Sequence, residues 1–292
     1  GPAVVGGGDF AAPASLRGEP VEPRSLARRD TPIGKGDDPA ALYEKPLQRL
    51  ERKMDKAWVV RLRAEGAALA TFVGSTASPA VTLSVAPTRT KVELSDLAGY
   101  TWDWWEKYGD EVTAELKASF AATMIEELPG HPVGEVQRLA GEYAQARGAN
   151  LLQVTGDVSL VQETKRRVNE IVSGAIERGD SLGEIQRQLR SDFAFSPERA
   201  SRVARTETAT ALGQGQKGAA IIQGRDEKHW VTQGDALVSQ EICAPNEAQG
   251  WIPMAEPFQS GHDAIPGHVN CRCIVRYRTG EKALTMSEAR LA

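Results

Sequence analysis

The stretch His-Val-Asn-Cys-Arg-Cys at residues 268–273 constrains this chain most, because it holds two of the three cysteines and one of the four histidines. The third cysteine, Cys243, lies upstream in the segment 242–246. The chain has no other cysteine. Thiols and an imidazole clustered this closely predict a local knot in the fold, built on either a metal ion or a disulfide.

Zinc is one occupant that suits such a knot, because structural zinc sites are tetrahedral sets of thiolates and imidazoles. The candidate ligands are Cys243, His268, Cys271 and Cys273. If one cysteine points away, His262 or Asp263 is an alternative fourth ligand. Two other states stay open: small buried thiols without a ligand, or a disulfide from Cys243 to Cys271 or Cys273.

The composition narrows the class of protein. The chain is 41% hydrophobic and 25% charged, which is typical of soluble globular proteins. An odd number of cysteines disfavours a secreted disulfide framework and indicates a reducing compartment. The net charge of -4 predicts no strong global attraction to nucleic acid, although short basic runs leave local phosphate contacts open. We expect neither a membrane helix nor a signal peptide.

The first part of the chain divides into an arm and a helical region. Residues 1–38 are rich in glycine, proline and alanine, so they predict an extended arm that orders only against a partner. Over residues 39–158, apolar side chains recur at three- and four-residue steps, which predicts helices. The first helix is expected to begin near Pro46 and to continue toward Ala70.

A second helical block is expected from Ser95, with the helical pattern resuming over 110–127 and another helix over 133–148. This block carries three tryptophans in four residues. They could form a functional platform, but we favour burial between helices, because aromatic side chains dominate core packing. These residues are Trp102, Trp104 and Trp105.

Residues 159–280 predict a module of three capped helices followed by irregular structure. The capping signals are Ser159 with Gln162, Ser181 with Glu184, and Ser196 before Pro197. Strands are expected at 228–233 and 274–277, and residues 281–292 are expected to form a tail. The predicted fold class is therefore mainly α, with a small irregular α+β C-terminal module and an extended N-terminal arm.

Arg205, Thr206 and Glu207 stand in the middle of the third of these helices. Residues two apart do not share a helix face, so Arg205 and Glu207 are expected to meet different neighbours. A catalytic glutamate beside a substrate-holding arginine is one interpretation. We favour the other, in which each makes a salt bridge that ties the helix to the C-terminal module, with Asp235 as the expected partner of Arg205.

The order of several motifs resembles one family. The motifs are an alanine-rich helix at 143–147, Gly-Asp-Ser-Leu-Gly-Glu-Ile at 179–185, Ala-Arg-Thr-Glu-Thr-Ala at 204–209, Lys-His-Trp at 228–230 with Thr232 and Asp235, and the closing stretch at 268–273. Over residues 130–278 this order is similar to the Mu F-like minor head, or head morphogenesis, proteins of tailed bacteriophages. Asn246 stands where that family often has a second cysteine and Val269 replaces its proline, which makes a three-ligand or metal-free site the alternative.

The resemblance implies a structural protein of the virion. Such proteins are low-copy head components near the portal vertex, on the inner face of the capsid, and some are thought to leave with the genome. The implied partners are the portal protein, the major capsid protein and double-stranded DNA, and no catalytic residue is assigned. The implied structural signature is Arg205, Thr206, Glu207, Trp230 and Asp235. The alternative is an enzyme, either a toxin-like transferase using Arg205 and Glu207 or a metal-dependent hydrolase built on the cysteines and histidine.

Overall fold

The structure, a computed structural model, describes residues 39–76, 97, 99–153 and 159–280, with side chains from residue 48 onward. The predicted arm over 1–38, the block start at Ser95 and the tail over 281–292 lie outside the described residues. The described residues confirm a mainly helical fold with a small antiparallel sheet near the C-terminus. None of the described helices combines the length and apolar character that a membrane crossing requires.

Seven α-helices and three strands follow one another along the described chain. The helices are α1 (Pro39–Thr76), α2 (Trp104–Glu127), α3 (Val133–Leu152), α4 (Leu160–Arg178), α5 (Leu182–Ser191), α6 (Pro197–Ile222) and α7 (Cys243–Ala248). The strands are β1 (Glu227–Val231), β2 (Ile252–Pro253) and β3 (Ile274–Arg278), and a 3₁₀ turn at Phe193–Phe195 precedes α6.

Serines begin the central helices α4, α5 and α6, and a glycine ends α4, as the sequence predicts. The hydroxyl oxygens of Ser159, Ser181 and Ser196 accept hydrogen bonds from backbone amides three residues later, at 3.1, 3.3 and 3.2 Å. These contacts satisfy donors that have no partner inside the first helical turn. Gly179 ends α4 in the left-handed conformation, with φ of 71°, which a residue without a side chain adopts at little cost.

The helices of the first half differ in their bounds from the prediction. Helix α1 begins at Pro39 rather than near Pro46, and α2 begins at Trp104 and continues without a break to Glu127. Gly109 lies inside α2, where a side chain would press on the ring of Trp105. The tryptophans pack into the core, as predicted: Trp104 is buried, while Trp102 and Trp105 are half-buried against it.

Helix α6 lies at the centre of the molecule, in contact with both α1 and α2. Its small residues permit this approach. A side chain at Gly215 would lie only 3.1 Å from the backbone oxygen of Phe120 on α2. The shared core includes Trp58, Leu62, Leu116, Met124, Tyr143, Leu152, Ala200, Ala204 and Ala211. The two predicted regions, 39–158 and 159–280, therefore share one hydrophobic core at α6.

A buried carboxylate fastens α1 to the start of α2. Glu65 is 3% exposed and accepts hydrogen bonds from the hydroxyls of Tyr100 and Tyr108, at 2.9 and 2.8 Å. The indole nitrogen of Trp104 donates to it at 2.9 Å, and the ammonium of Lys107 lies 3.3 Å away. A buried charge is tolerated when it is paired and hydrogen-bonded in this way.

We call residues 225–280 the knob. Its sheet has the order β2-β1-β3, and β1 pairs with β3 from Glu227 opposite Arg278 to Val231 opposite Ile274. The knob packs against α6 at Gly213, where a side chain would lie 2.5 Å from the carbonyl oxygen of Ile265. The C-terminal module thus folds back on the helix that begins after Ser196.

Candidate metal centre

The structure brings the three cysteines together inside the knob. Cys243 opens α7, while Cys271 and Cys273 lie in the segment before β3. All three are buried and unpaired thiols, and their sulfur atoms lie within 4.8 Å of one another. The sulfurs of Cys243 and Cys271 are 4.0 Å apart.

His268, which is half-buried, lies beside this group and contacts Cys243. Its Nε2 lies 3.1 Å from the sulfur of Cys243, and its Nδ1 lies 2.9 Å from the carbonyl oxygen of Val269. A carbonyl oxygen can only accept, so Nδ1 carries the proton that makes this bond. Nε2 is therefore the nitrogen that faces the sulfurs, in the orientation that metal-binding histidines adopt.

Proximity couples the protonation of these groups. The hydrogen bond with Cys243 raises the pKa of His268 to about 10. Hydrogen bonds with Cys243 and Cys273 lower the pKa of Cys271. Hydrogen bonds with Cys243 and Cys271 raise the pKa of Cys273. Close packing thus disfavours several thiolates at once, because buried negative charges repel one another.

The turn that presents His268 and Cys271 is held by α6. Asn270 adopts a positive φ of 65°, a conformation that asparagine tolerates better than most residues. Its backbone N–H donates to the hydroxyl of Thr206 at 3.0 Å, and its side-chain oxygen accepts from Arg205 at 3.0 Å. Arg205 and Thr206 of the predicted signature therefore position the turn that carries the cluster.

The expected pairing of Arg205 with Asp235 is wrong. Arg205 instead donates to Glu51 of α1 at 2.9 Å, as well as to Asn270. Asp235 pairs with Arg272 at 2.8 Å, within the knob. The left-handed turn at Asn270 places its side-chain amide next to Arg205. This neutral group therefore takes the position that we predicted for the carboxylate of Asp235.

Glu207 ties α6 to α3 rather than to the C-terminal module. It is 3% exposed, and its two carboxylate oxygens accept from Arg147, both at 2.7 Å. Arg205 and Glu207 therefore have separate partners and do not converge on a common site. Trp230, the next residue of the signature, is fully buried in the knob, with its ring edge-on to Phe258.

The alternative ligands have other partners. The Nδ1 of His262 lies 2.9 Å from the hydroxyl of Ser260, and the carboxylate of Asp263 lies 3.2 Å from the buried ammonium of Lys228. Asn246 makes both of its side-chain hydrogen bonds to Ser260, at 2.8 and 3.0 Å. The compact group is thus the set of three cysteines, and His268 lies beside it through its contact with Cys243.

The outer face of the sheet carries a basic and aromatic surface that the sequence alone did not predict. The guanidinium of Arg278 lies 4.2 Å above the ring of Trp251, and the ring of His229 lies 5.3 Å from the same tryptophan. Arg276 lies directly opposite His229 and makes no ion pair within the described part of the chain. The signal was the two-residue spacing of Arg276 and Arg278, which places both on one face of a strand.

The basic runs of the sequence, 165–167 and Arg199 with Arg202, are engaged only in part. Arg199 is buried, with its guanidinium bonded to Thr164 and to the carbonyl oxygen of Ala194. The exposed members are Lys165, Arg166, Arg167 and Arg202. Arg167 pairs with Asp192 at 2.9 Å. The face of the sheet is a further candidate for phosphate contact, beside these exposed basic residues.

Arg205 and Thr206 of α6 hold the turn that carries the buried thiols. The class of protein is therefore a helical scaffold with a C-terminal knob fastened to its central helix. Residues 166–276 match the family model described as Phage Mu protein F like protein, which confirms the predicted resemblance over this part of the chain. The matched segment starts within α4 and includes α5, α6 and most of the knob. The family supports a general role in phage head morphogenesis. No curated protein and no solved structure matches the chain.

Proposed function

We propose that the protein is a minor head component that docks at the portal vertex, on the inner face of the capsid. One observation carries the proposal: the family match coincides with α6 and the knob, where the signature residues hold elements together. Arg205 and Thr206 grip the turn at Asn270, and Glu207 binds Arg147. Side chains used in this way support assembly rather than turnover, and the portal and major capsid proteins are the proposed partners.

Assembling heads test this location. Heads isolated by sedimentation from a lysate should contain the protein at far lower copy number than the major capsid protein. Heads assembled without the portal protein should lack it, because the proposed site includes the vertex. The proposal fails if the protein sediments alone while complete heads contain none of it. It also fails if portal-free heads retain the normal amount.

We propose further that the knob contacts packaged DNA through the outer face of its sheet. Arg276 and Arg278 lie on this face beside Trp251, and stacking on the indole orients the guanidinium of Arg278. Glu227 neutralises part of the charge by accepting from Arg278 at 2.6 Å. A contact of this size binds few phosphates, so it suits duplex DNA held at high local concentration in a filled head.

The salt dependence of duplex binding tests the DNA contact. Removing one arginine–phosphate interaction should reduce the slope of log K against log salt by roughly 0.9, so Arg276→Ala should weaken binding and flatten the dependence by about that amount. Arg190→Ala is the matched control, because Arg190 is an exposed arginine on α5, away from the sheet. Equal slopes for the wild type and Arg276→Ala would exclude this face.

Contact with DNA also extends the proposal to genome ejection. A protein bound to the packaged genome near the portal would leave the head when the genome leaves. Particles emptied by triggered ejection should therefore lose the protein, whereas particles still filled with DNA should retain it. Equal amounts in filled and emptied particles would restrict its role to the head.

A further inference from the structure

We propose that Cys243, His268, Cys271 and Cys273 form a closed tetrahedral zinc site that fastens α7 to the turn held by α6. The inference concerns the chain itself and holds whether or not the protein docks at the portal. It rests on the geometry of the four side chains and on the two segments that supply them.

The distances fit zinc. A tetrahedral ion with Zn–S bonds of about 2.3 Å holds its sulfurs about 3.8 Å apart. The sulfurs of Cys243 and Cys271 are 4.0 Å apart, and all three lie within 4.8 Å of one another. The Nε2 of His268 is 3.1 Å from the sulfur of Cys243 but does not lie within 4.8 Å of all three sulfurs. Its ring must therefore move closer to them to become the fourth ligand.

The surroundings of the ligands indicate a structural site. The three cysteines are buried, and His268 has its other nitrogen fixed on the carbonyl oxygen of Val269. Fixing the far nitrogen sets the tautomer and orients the ring toward a metal. With four protein ligands the coordination shell is filled, which is the arrangement of structural zinc rather than of a catalytic site with an open position.

A disulfide or free thiols explain the arrangement less completely. A disulfide requires sulfurs about 2.05 Å apart, and joining Cys243 to Cys271 would leave Cys273 and His268 without a role. Free thiols would leave three buried sulfurs within 4.8 Å of one another, joined by weak hydrogen bonds alone. A zinc ion uses all four groups, and it takes soft thiolate ligands readily.

The ion would act as a fastener because its ligands come from two separate segments. Cys243 begins α7, whereas the other ligands lie in the turn whose Asn270 is bound by Thr206 and Arg205 of α6. Zinc therefore joins α7 to the same turn that grips the central helix. Its removal is expected to loosen the knob and leave the helical core in place.

Metal content tests the site in the full chain. Protein prepared with zinc and passed through a desalting column should hold one zinc ion per chain, and so should His229→Ala, whose imidazole lies outside the cluster. Cys271→Ser should lose the ion. A chelator should lower the melting temperature of the wild type, and it should leave that of Cys271→Ser unchanged.

Cobalt substitution keeps the proposal testable if Cys271→Ser fails to fold. Co²⁺ bound to the wild type should give the intense visible bands of tetrahedral coordination, with a thiolate charge-transfer band. His268→Cys should still bind Co²⁺, and its bands should shift because a fourth sulfur replaces nitrogen. The proposal is overturned if the wild type contains no zinc and its melting temperature does not change when chelator is added. It is also overturned if the intact mass of the wild type is lower than the calculated mass by two hydrogens, because that difference indicates a disulfide.

Discussion

Substitution of Glu207, which forms a salt bridge with Arg147, tests whether this residue has a structural role. Glu207 is buried and Arg147 is half-buried, and both carboxylate oxygens are engaged. Glu207→Gln keeps the shape but leaves the Arg147 charge without its partner, so we expect a loss of roughly 3–5 kcal/mol in the free energy of unfolding. Chemical denaturation measures the change.

The matched control is an exposed pair of the same type. Glu142 accepts from Arg138 at 2.6 Å on the surface of α3, and such pairs contribute little. Glu142→Gln should change stability by less than about 1 kcal/mol. If Glu207→Gln proves as stable as this control, the structural role of Glu207 is wrong and the transferase interpretation regains support.

At this scale the sequence predicted which residues matter better than it predicted their partners. The tight spacing of Cys271 and Cys273 with His268 identified a cluster, because groups that close in the chain are close in space. The partners of Arg205 and Glu207 lie on α1 and α3 and in the distant turn at Asn270. No local pattern encodes such contacts, and a left-handed asparagine cannot be anticipated from its neighbours.

At the scale of elements, alanine substitutions at two glycines of α6 distinguish the effect of close packing on stability from the effect of helix propensity. A side chain at Gly213 would meet the carbonyl oxygen of Ile265 at 2.5 Å, and the Gly213→Ala variant must move the knob away from the helix. We expect a loss of about 1–3 kcal/mol in unfolding free energy, typical of overpacking. A thermal or denaturant melt measures it.

Gly218→Ala is the control on the same helix. A side chain there would have Met124 Cε at 3.8 Å as its nearest neighbour, which is ordinary contact. Alanine should therefore stabilise the helix by roughly 0.5–1 kcal/mol through its higher propensity. If both variants gained stability, the close approach of the knob to α6 would be refuted.

The sequence predicted the helices whose ends are set by contacts between residues close in the chain. The serine caps of α4, α5 and α6 and the glycine that ends α4 are contacts within a few residues, and the structure shows each of them. The continuous path of α2 through Gly109, the short α7 and the two-residue β2 depend on packing against distant parts of the chain. The repeat of apolar residues gives no signal for these.

At the scale of the whole molecule, the tyrosines report on the integrity of the core. Burial raises the pKa of Tyr100, Tyr108, Tyr143 and Tyr277 well above the ordinary value. The unfolded chain ionises its tyrosines near pH 10, so their contribution to stability is complete below that pH and is lost as the pH rises above it.

An alkaline titration checks this expectation. In the native protein, the phenolate absorbance of these four residues should appear only together with loss of the helical circular dichroism signal. In guanidinium chloride all tyrosines should titrate near pH 10. Reversible ionisation of all five tyrosines near pH 10, with the helices intact, would show that the core is open to water.

The place of α6 between α1 and α2 has a consequence for dissection of the protein. The segment that sequence comparison detects begins at residue 166, after the helices that cover this one. Cut out alone, it would present alanines and glycines fitted to absent neighbours and would tend to aggregate. The segment that matches the family is thus smaller than the unit that folds. Fragments limited to residues 166–276 would not reproduce the fold of the protein.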